Sequence, residues 1–277
     1  RPIQHSHKEI LVNAESLETR VAVTVKGQLE NLTIERVDDP RMVGSIYKGK
    51  IRNLEDGLKA AFVDIGYEKN AFLHYWDIIP SPLDSSYDVV DCGKKKKSKP
   101  KITNKDIPKK YPAGTELIVQ VTKGPIGTKG PRVTTNVLLP GRYLVLLPNS
   151  EQSGVSRKIE NKEERSRLKK IVRELNIPDG MGVIIRTAGQ NQRKGYFIRD
   201  LKILLDTWEE ITGRVQSQSP GSCVFEEPDL IERTVRDFLT EDIERIVIDN
   251  ASETERVKEL IGRISKRSIE KVHRYAS

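Results

Sequence analysis

Residues 45–74 (SIYKGKIRNLEDGLKAAFVDIGYEKNAFLH) limit what this chain can fold into more than any other stretch. Residues 46–51 alternate in polarity, and Glu55, Asp56 and Gly57 make a turn. Residues 60–65 then form a continuous strand-type run, Gly66 closes a second turn, and Ala71, Phe72 and Leu73 re-enter as a strand. Residues 116–121 (ELIVQV) and 131–136 supply two more strands. Five short strands with tight turns make a small closed Greek-key barrel the economical solution, because closure removes the unpaired edges.

Two aromatics on this barrel have two readings. Phe62 and Phe72 either fill the core or stand outward on the second and third strands, the face on which such barrels stack unpaired bases. Ala60, Ala61 and Val63 offer the core small and apolar alternatives. Lys129, in the turn of residues 127–130, is a solvated hairpin lysine or a rim contact, and Tyr47 and Lys50 are candidate flanking contacts. His74 reads as a structural histidine at a strand end.

A chain of 277 residues permits two or three small domains. It begins RPIQHSHKEI, without Met and without a signal-peptide core, which points to a piece of a longer protein. No apolar run reaches membrane-spanning length, and Cys92 and Cys223 lie far apart without metal-ligand spacing, so a reducing cytoplasm is expected. The net charge of +8 is local: residues 93–110 hold nine lysines against Asp106, and the remainder is neutral. That block reads as a solvated insertion or as a lysine arm adding salt-dependent phosphate attraction.

Taken in order, residues 9–13, 20–25 and 31–36 read as strands, with Lys26 and Gly27 in a turn. The barrel follows over 43–137, with a Lys-rich insertion near 81–112. Residues 142–147 form a buried-type strand, Asn161 caps a helix carrying Leu168, Ile171, Val172 and Leu175, and 182–187 form another strand. A second helix places Leu201, Leu204, Leu205, Trp208 and Ile211 on one face, which completes a small α/β domain over 138–216. The tail, 217–277, reads as helix, strand, helix and needs a sheet; the three N-terminal strands are its expected supplier. The expected class is therefore α+β multi-domain, with a five-stranded OB-type barrel inserted in a split α/β domain made of 8–42 and 217–277.

The spacing of Gly57, Gly66 and Leu73-His74 resembles the S1 motif of RNA-binding proteins. Over nearly the whole chain the order of parts resembles the N-terminal half of the bacterial ribonuclease E/G family, through KEILVNAE, IYKGKI, AAFVDIG, AFLH, GRYLVLLPNS, SGVSRKI, PDGMGVIIRTAG and IVIDN. A generic S1 barrel would have none of the last five. The resemblance implies an RNase H-like scaffold for the split domain, single-stranded RNA on the barrel, and a 5′ sensor for monophosphorylated ends in the α/β domain. It maps Phe62, Phe72 and Lys129 to RNA contacts, Arg186 and Thr187 to the 5′-phosphate, Gly141 and Val145 to backbone contacts, and Arg157 to a supporting cation. Arg186 and Thr187 suit that role chemically, since a guanidinium meets a phosphate bidentately and a hydroxyl donates beside it. The bland alternative is an arginine closing a strand on the surface.

Relatives of this type cut RNA with Mg²⁺ held by two aspartates, and pair subunits through a zinc link, in a part that follows the RNase H-like domain. The chain stops at residue 277, where that part would begin, and contains no such carboxylate pair or cysteine motif. Asp249 alone is not a site; capping the next segment beside Asn250 is its other reading. The expectation is a chain that binds 5′-monophosphorylated single-stranded RNA and does not cut it, within a Mg²⁺-dependent, homo-oligomeric endoribonuclease. The rival is a stand-alone, non-catalytic S1-type RNA-binding protein. A nucleotide-binding module ranks lower, because no P-loop or GxGxxG follows a strand.

Overall fold

The computed structural model describes residues 7–37, 41–79, 83, 85–92, 102–239, 243–264 and 266–275. The chain divides into two compact units, one built from both chain ends (1–41 and 228–277) and one from 42–227. Most of the lysine block, 93–101, lies outside the described residues.

The terminal unit begins with an antiparallel meander of β1 (Lys8–Ala14), β2 (Glu18–Val25) and β3 (Gln28–Arg36). Lys26 and Gly27 both take positive φ, the geometry that a two-residue hairpin between right-twisted strands requires.

The middle unit opens with β4 (Ile46–Glu55), β5 (Ala60–Asp64) and β6 (Ala71–His74), as the alternation predicts, followed by a one-turn helix α1 (Tyr75–Ile78). β7 (Tyr87–Val90) and a short α2 (Ile107–Lys110) come next, then β8 (Glu116–Lys123) and β9 (Arg132–Thr134). The barrel runs β4-β5-β6-β9-β8 and closes by pairing β8 with β4, with β6 and β9 parallel. This closed five-stranded arrangement is that of an OB-type barrel. Ile51, Ala61, Val63, Ala71, Leu73, Tyr75, Val119, Val121 and Val133 fill it.

After the barrel come β10 (Leu139–Pro140), β11 (Leu144–Leu147), β12 (Ser153–Ser156), α3 (Lys162–Glu174), β13 (Gly182–Ile185), the 24-residue α4 (Lys194–Ser217) and β14 (Cys223–Phe225). Asn161 caps α3 through Glu164 N–H at 2.9 Å, and the amphipathic period does the rest. The second sheet runs β10-β11-β13-β12-β7, with β12 and β13 parallel. Ile46 of the barrel wall and Val224 of β14 are buried in the same core as Leu144, Phe197 and Trp208, so barrel and α/β part share one hydrophobic interior.

The chain then returns to the terminal unit with α5 (Leu230–Phe238), β15 (Ile243–Ile248), α6 (Ala251–Ile264) and β16 (Val272–Arg274). β15 pairs parallel to β1 and β16 parallel to β15, giving the order β16-β15-β1-β2-β3. The N-terminal strands do receive their partners from the tail. Leu230, Ile231, Val235, Val257 and Ile261 cover one face of that sheet.

The sequence reading differs from the structure in three segments. Residues 217–227, read with the tail, belong to the middle unit, because β14 pairs with β4 at Cys223↔Tyr47 and Phe225↔Ile46. The insertion near 81–112 is not one solvated loop: β7 pairs with β12 across Ser153↔Val90, and Ile107 is buried in the barrel core. Its apolar residues are too few and too widely spaced to show a period, so only tertiary pairing reveals the strand. Asp249 does not cap α6. It accepts from Ala14 N–H at 2.9 Å and from the Asn13 amide at 2.5 Å, while Asn250 makes the cap.

Candidate RNA-binding faces

Phe62 and Phe72 face each other directly across the β5–β6 pair. Their rings meet edge to face, with centroids 5.7 Å apart and planes at 77°. Both are half-buried, while the residues between them in the pleat, Ala61, Val63, Ala71 and Leu73, are fully buried. The strand period of two therefore puts the phenylalanines on the outer wall and the aliphatic residues inside.

The flanking candidates separate. Lys50 stands on the outer wall opposite Asp64, two residues along β5 from Phe62. The Gly66 N–H first, and then Arg52, which reaches Asp64 at 2.5 Å, hold the Asp64 carboxyl below the usual range. Lys129 is exposed in a tight turn that pairs with Ile126. Tyr47 is not brought to the phenylalanines. It shares the inward face of Gly49 and Ile51, packs on the barrel core between β8 and β14, and lies well before Asn53, the residue opposite Phe62. Burial first, and then the neighbouring Cys223, push its hydroxyl up to about 12.

The second face lies where β12 and β13 end. They run parallel with Val155 opposite Ile185, so the next residues along each strand, Ser156-Arg157 and Arg186-Thr187, emerge side by side. The Thr187 hydroxyl lies 3.3 Å from that of Ser156. Arg186 donates from Nη1 to the Gly141 carbonyl at 2.5 Å, which orients the guanidinium, and Arg157 is exposed on the neighbouring strand. Val145 is half-buried in β11, opposite Pro140 and Ile184. Gly141 is buried, and its N–H already donates to Leu144 at 2.8 Å, so in this structure it is part of the scaffold.

Asp200 is a residue that sequence reasoning missed. It sits on the buried face of α4 between Phe197 and Leu201 and accepts from the backbone N–H groups of Arg142, Tyr143 and Leu144 at 3.2, 2.8 and 2.8 Å. Burial pushes its carboxyl up; the three N–H groups, and then the charge of Arg186, pull the other way. The available signal was an acid on the apolar stripe of a helix, where an unsatisfied carboxylate is costly.

Among the described residues, no three or more His, Cys, Asp or Glu side chains come together as metal ligands. Cys92 and Cys223 are free. Among the described residues, no helix is long and apolar enough to cross a membrane. A hollow of about 470 Å³ in the terminal unit is lined by Glu35, Arg41, Asp229 and Arg256. Those charges pair among themselves, Arg41 with Glu35 and Arg256 with Asp229.

The family model for the ribonuclease E/G family matches residues 138–277. Ribonuclease G of Escherichia coli (strain K12) is 39% identical over 242 residues, which cover 87% of this chain and 47% of that protein. Ribonuclease G of Salmonella typhimurium is 37% identical over 97% of this chain and 53% of its own length, and ribonuclease E of Haemophilus influenzae is 38% identical over 97% of this chain and 28% of its own. The chain thus spans about half the length, or less, of the curated relatives it matches. With the match reaching through the α/β sheet, the arginine–threonine strand end and the C-terminal part of the terminal unit, the chain belongs to the ribonuclease E/G family.

Proposed function

We propose that this chain is the RNA-gripping and 5′-end-sensing part of an endoribonuclease of the ribonuclease E/G type, acting on single-stranded RNA in processing and decay. The observation that carries the reading is that one compact unit presents both a cross-strand phenylalanine pair on a barrel wall and an arginine–threonine end on parallel strands. The phenylalanines stack on unpaired bases, each contact contributing about 1–3 kcal/mol, and Lys50 and Lys129 add phosphate attraction. Arg186, with Thr187 and Arg157, meets the terminal phosphate. Asp200 keeps the 141–144 loop in place behind the arginine.

In this reading Mg²⁺ serves the hydrolytic step of a longer, homo-oligomeric cytoplasmic protein, and the terminal unit is an RNase H-like scaffold. Its sheet, three antiparallel strands followed by two parallel ones, supports that assignment.

The test is binding of one single-stranded RNA with either a 5′-monophosphate or a 5′-hydroxyl to the wild-type chain and to Arg186→Ala. The wild type is expected to prefer the monophosphate, and the variant to lose that preference while keeping barrel-mediated binding. An unchanged preference removes the sensor. Incubation of the chain with Mg²⁺ is expected to leave the RNA intact, and robust metal-dependent cutting would overturn that part of the reading.

A further inference from the structure

The aromatic row on the barrel wall does not end at Phe72. His74 follows two residues along β6, and its ring meets Phe72 at 4.5 Å with the planes at 89°. Trp76 follows in α1 and lies flat against His74, centroids 4.0 Å apart and planes at 14°. The four rings form one continuous outer strip.

Trp76 is 49% exposed, although its neighbours Tyr75 and Ile78 are buried. The backbone beneath it is pinned. The Tyr75 hydroxyl donates to Asp56 at 3.0 Å, and the Asp77 carbonyl accepts from the Thr135 N–H at 3.0 Å, the Thr135 hydroxyl at 3.0 Å and the Asn136 amide at 3.2 Å. The Asp77 carboxylate takes Arg132 at 3.0 Å, and Arg132 is the β9 neighbour of Phe72. An indole fixed on one face, on a backbone that cannot wander, loses little freedom when a ligand covers the other face. Burial first, and then Arg132, lower the pKa of His74 against the opposing charge of Asp77, which favours the neutral ring beside the indole. Such a surface, continuous with two outward phenylalanines and flanked by a guanidinium, fits an unpaired nucleobase, since every base has a π-face and its phosphate can meet a nearby cation.

We propose that Trp76, braced by His74, is a further base-stacking position that extends the Phe62–Phe72 platform for single-stranded RNA. It rests on the reading of that phenylalanine pair given above.

Uridine oligonucleotides of increasing length, titrated against wild type, Trp76→Ala, Trp76→Phe and Phe72→Ala, test this. Binding is followed by anisotropy of the labelled RNA and by protein tryptophan emission. The chain has two tryptophans, and Trp208 is buried, so a base on Trp76 dominates any quenching. Trp76→Ala is expected to weaken the longer oligonucleotides about 5- to 100-fold and the shortest little. It should also abolish the quenching, while Trp76→Phe recovers part of the affinity. If Phe72→Ala weakens binding and Trp76→Ala does not, the indole is no subsite and the phenylalanine reading stands. If neither variant weakens binding, both readings fall. Weakened binding without quenching in the wild type overturns the stacking assignment, as does an equal loss at every length. Far-UV circular dichroism and melting of each variant exclude loss of fold.

Discussion

Single side chains in this protein organise backbone as often as they offer chemistry. Asp200 collects three N–H groups of the 141–144 loop, and Glu164 does something similar at the other end of the same site. Glu164 takes both Nε and Nη2 of Arg167 at 2.7 Å and the N–H of Asn191 at 2.7 Å, which ties α3 to the loop that follows Thr187. The Arg167 hydrogen bonds first, and then the Asn191 N–H, hold its carboxyl below the ordinary glutamate range. A depressed carboxylate stabilises the fold above its unfolded pKa, and that contribution is lost as pH falls through the lower folded one. Urea midpoints measured from neutral pH down through the carboxylate range should therefore fall more for wild type than for Glu164→Gln, which starts lower at neutral pH. At this scale the phenylalanine pair was half legible: Ala61 and Val63 mark the inward positions, but that Phe62 faces Phe72 is a matter of register.

At the scale of elements, the barrel has close approaches that leave no room for a Cβ, those at Gly66 and Gly49 among them. Gly66 has φ +78°, and a Cβ there would lie 2.2 Å from the Gly221 carbonyl oxygen, so the β5–β6 turn rests on the segment that leads into β14. Gly66→Ala should cost about 1–2 kcal/mol from left-handed backbone alone, with the clash in addition. A urea titration that leaves the midpoint in place would show that the turn is looser than described. Gly49 is the second: a Cβ would lie 2.5 Å from Val63 Cγ1 inside the barrel. The strands and helices with strong periods, β4 to β6, α3 and α4, could be read directly because alternation and amphipathic spacing are local properties. β7 and β14 could not. They are short, lie in polar surroundings, and exist because β12 and β4 offer them an open edge.

The whole molecule is two units threaded so that one is interrupted by the other. In the terminal unit β1 pairs on one side with β2 and on the other with β15, more than two hundred residues away in sequence. A chain lacking 228–277 should leave β1 with an exposed edge and its sheet without α5 and α6. Hydrogen exchange is expected to show fast-exchanging amides over residues 8–36 in that deletion and slow ones in the full chain; equal protection would mean that the meander is stable alone. The amino-acid order by itself determined the barrel strands, the amphipathic helices, the arginine–threonine strand end and the family resemblance, since each is written in neighbouring residues. What only the tertiary structure decided is where the strays belong: Tyr47 half-buried against the barrel core and away from the phenylalanines, β14 with the barrel, Asp200 behind the arginine, and His74 and Trp76 in line with the phenylalanines. The physical reason is that burial and register are set by partners distant along the chain, and no local pattern encodes which partner arrives.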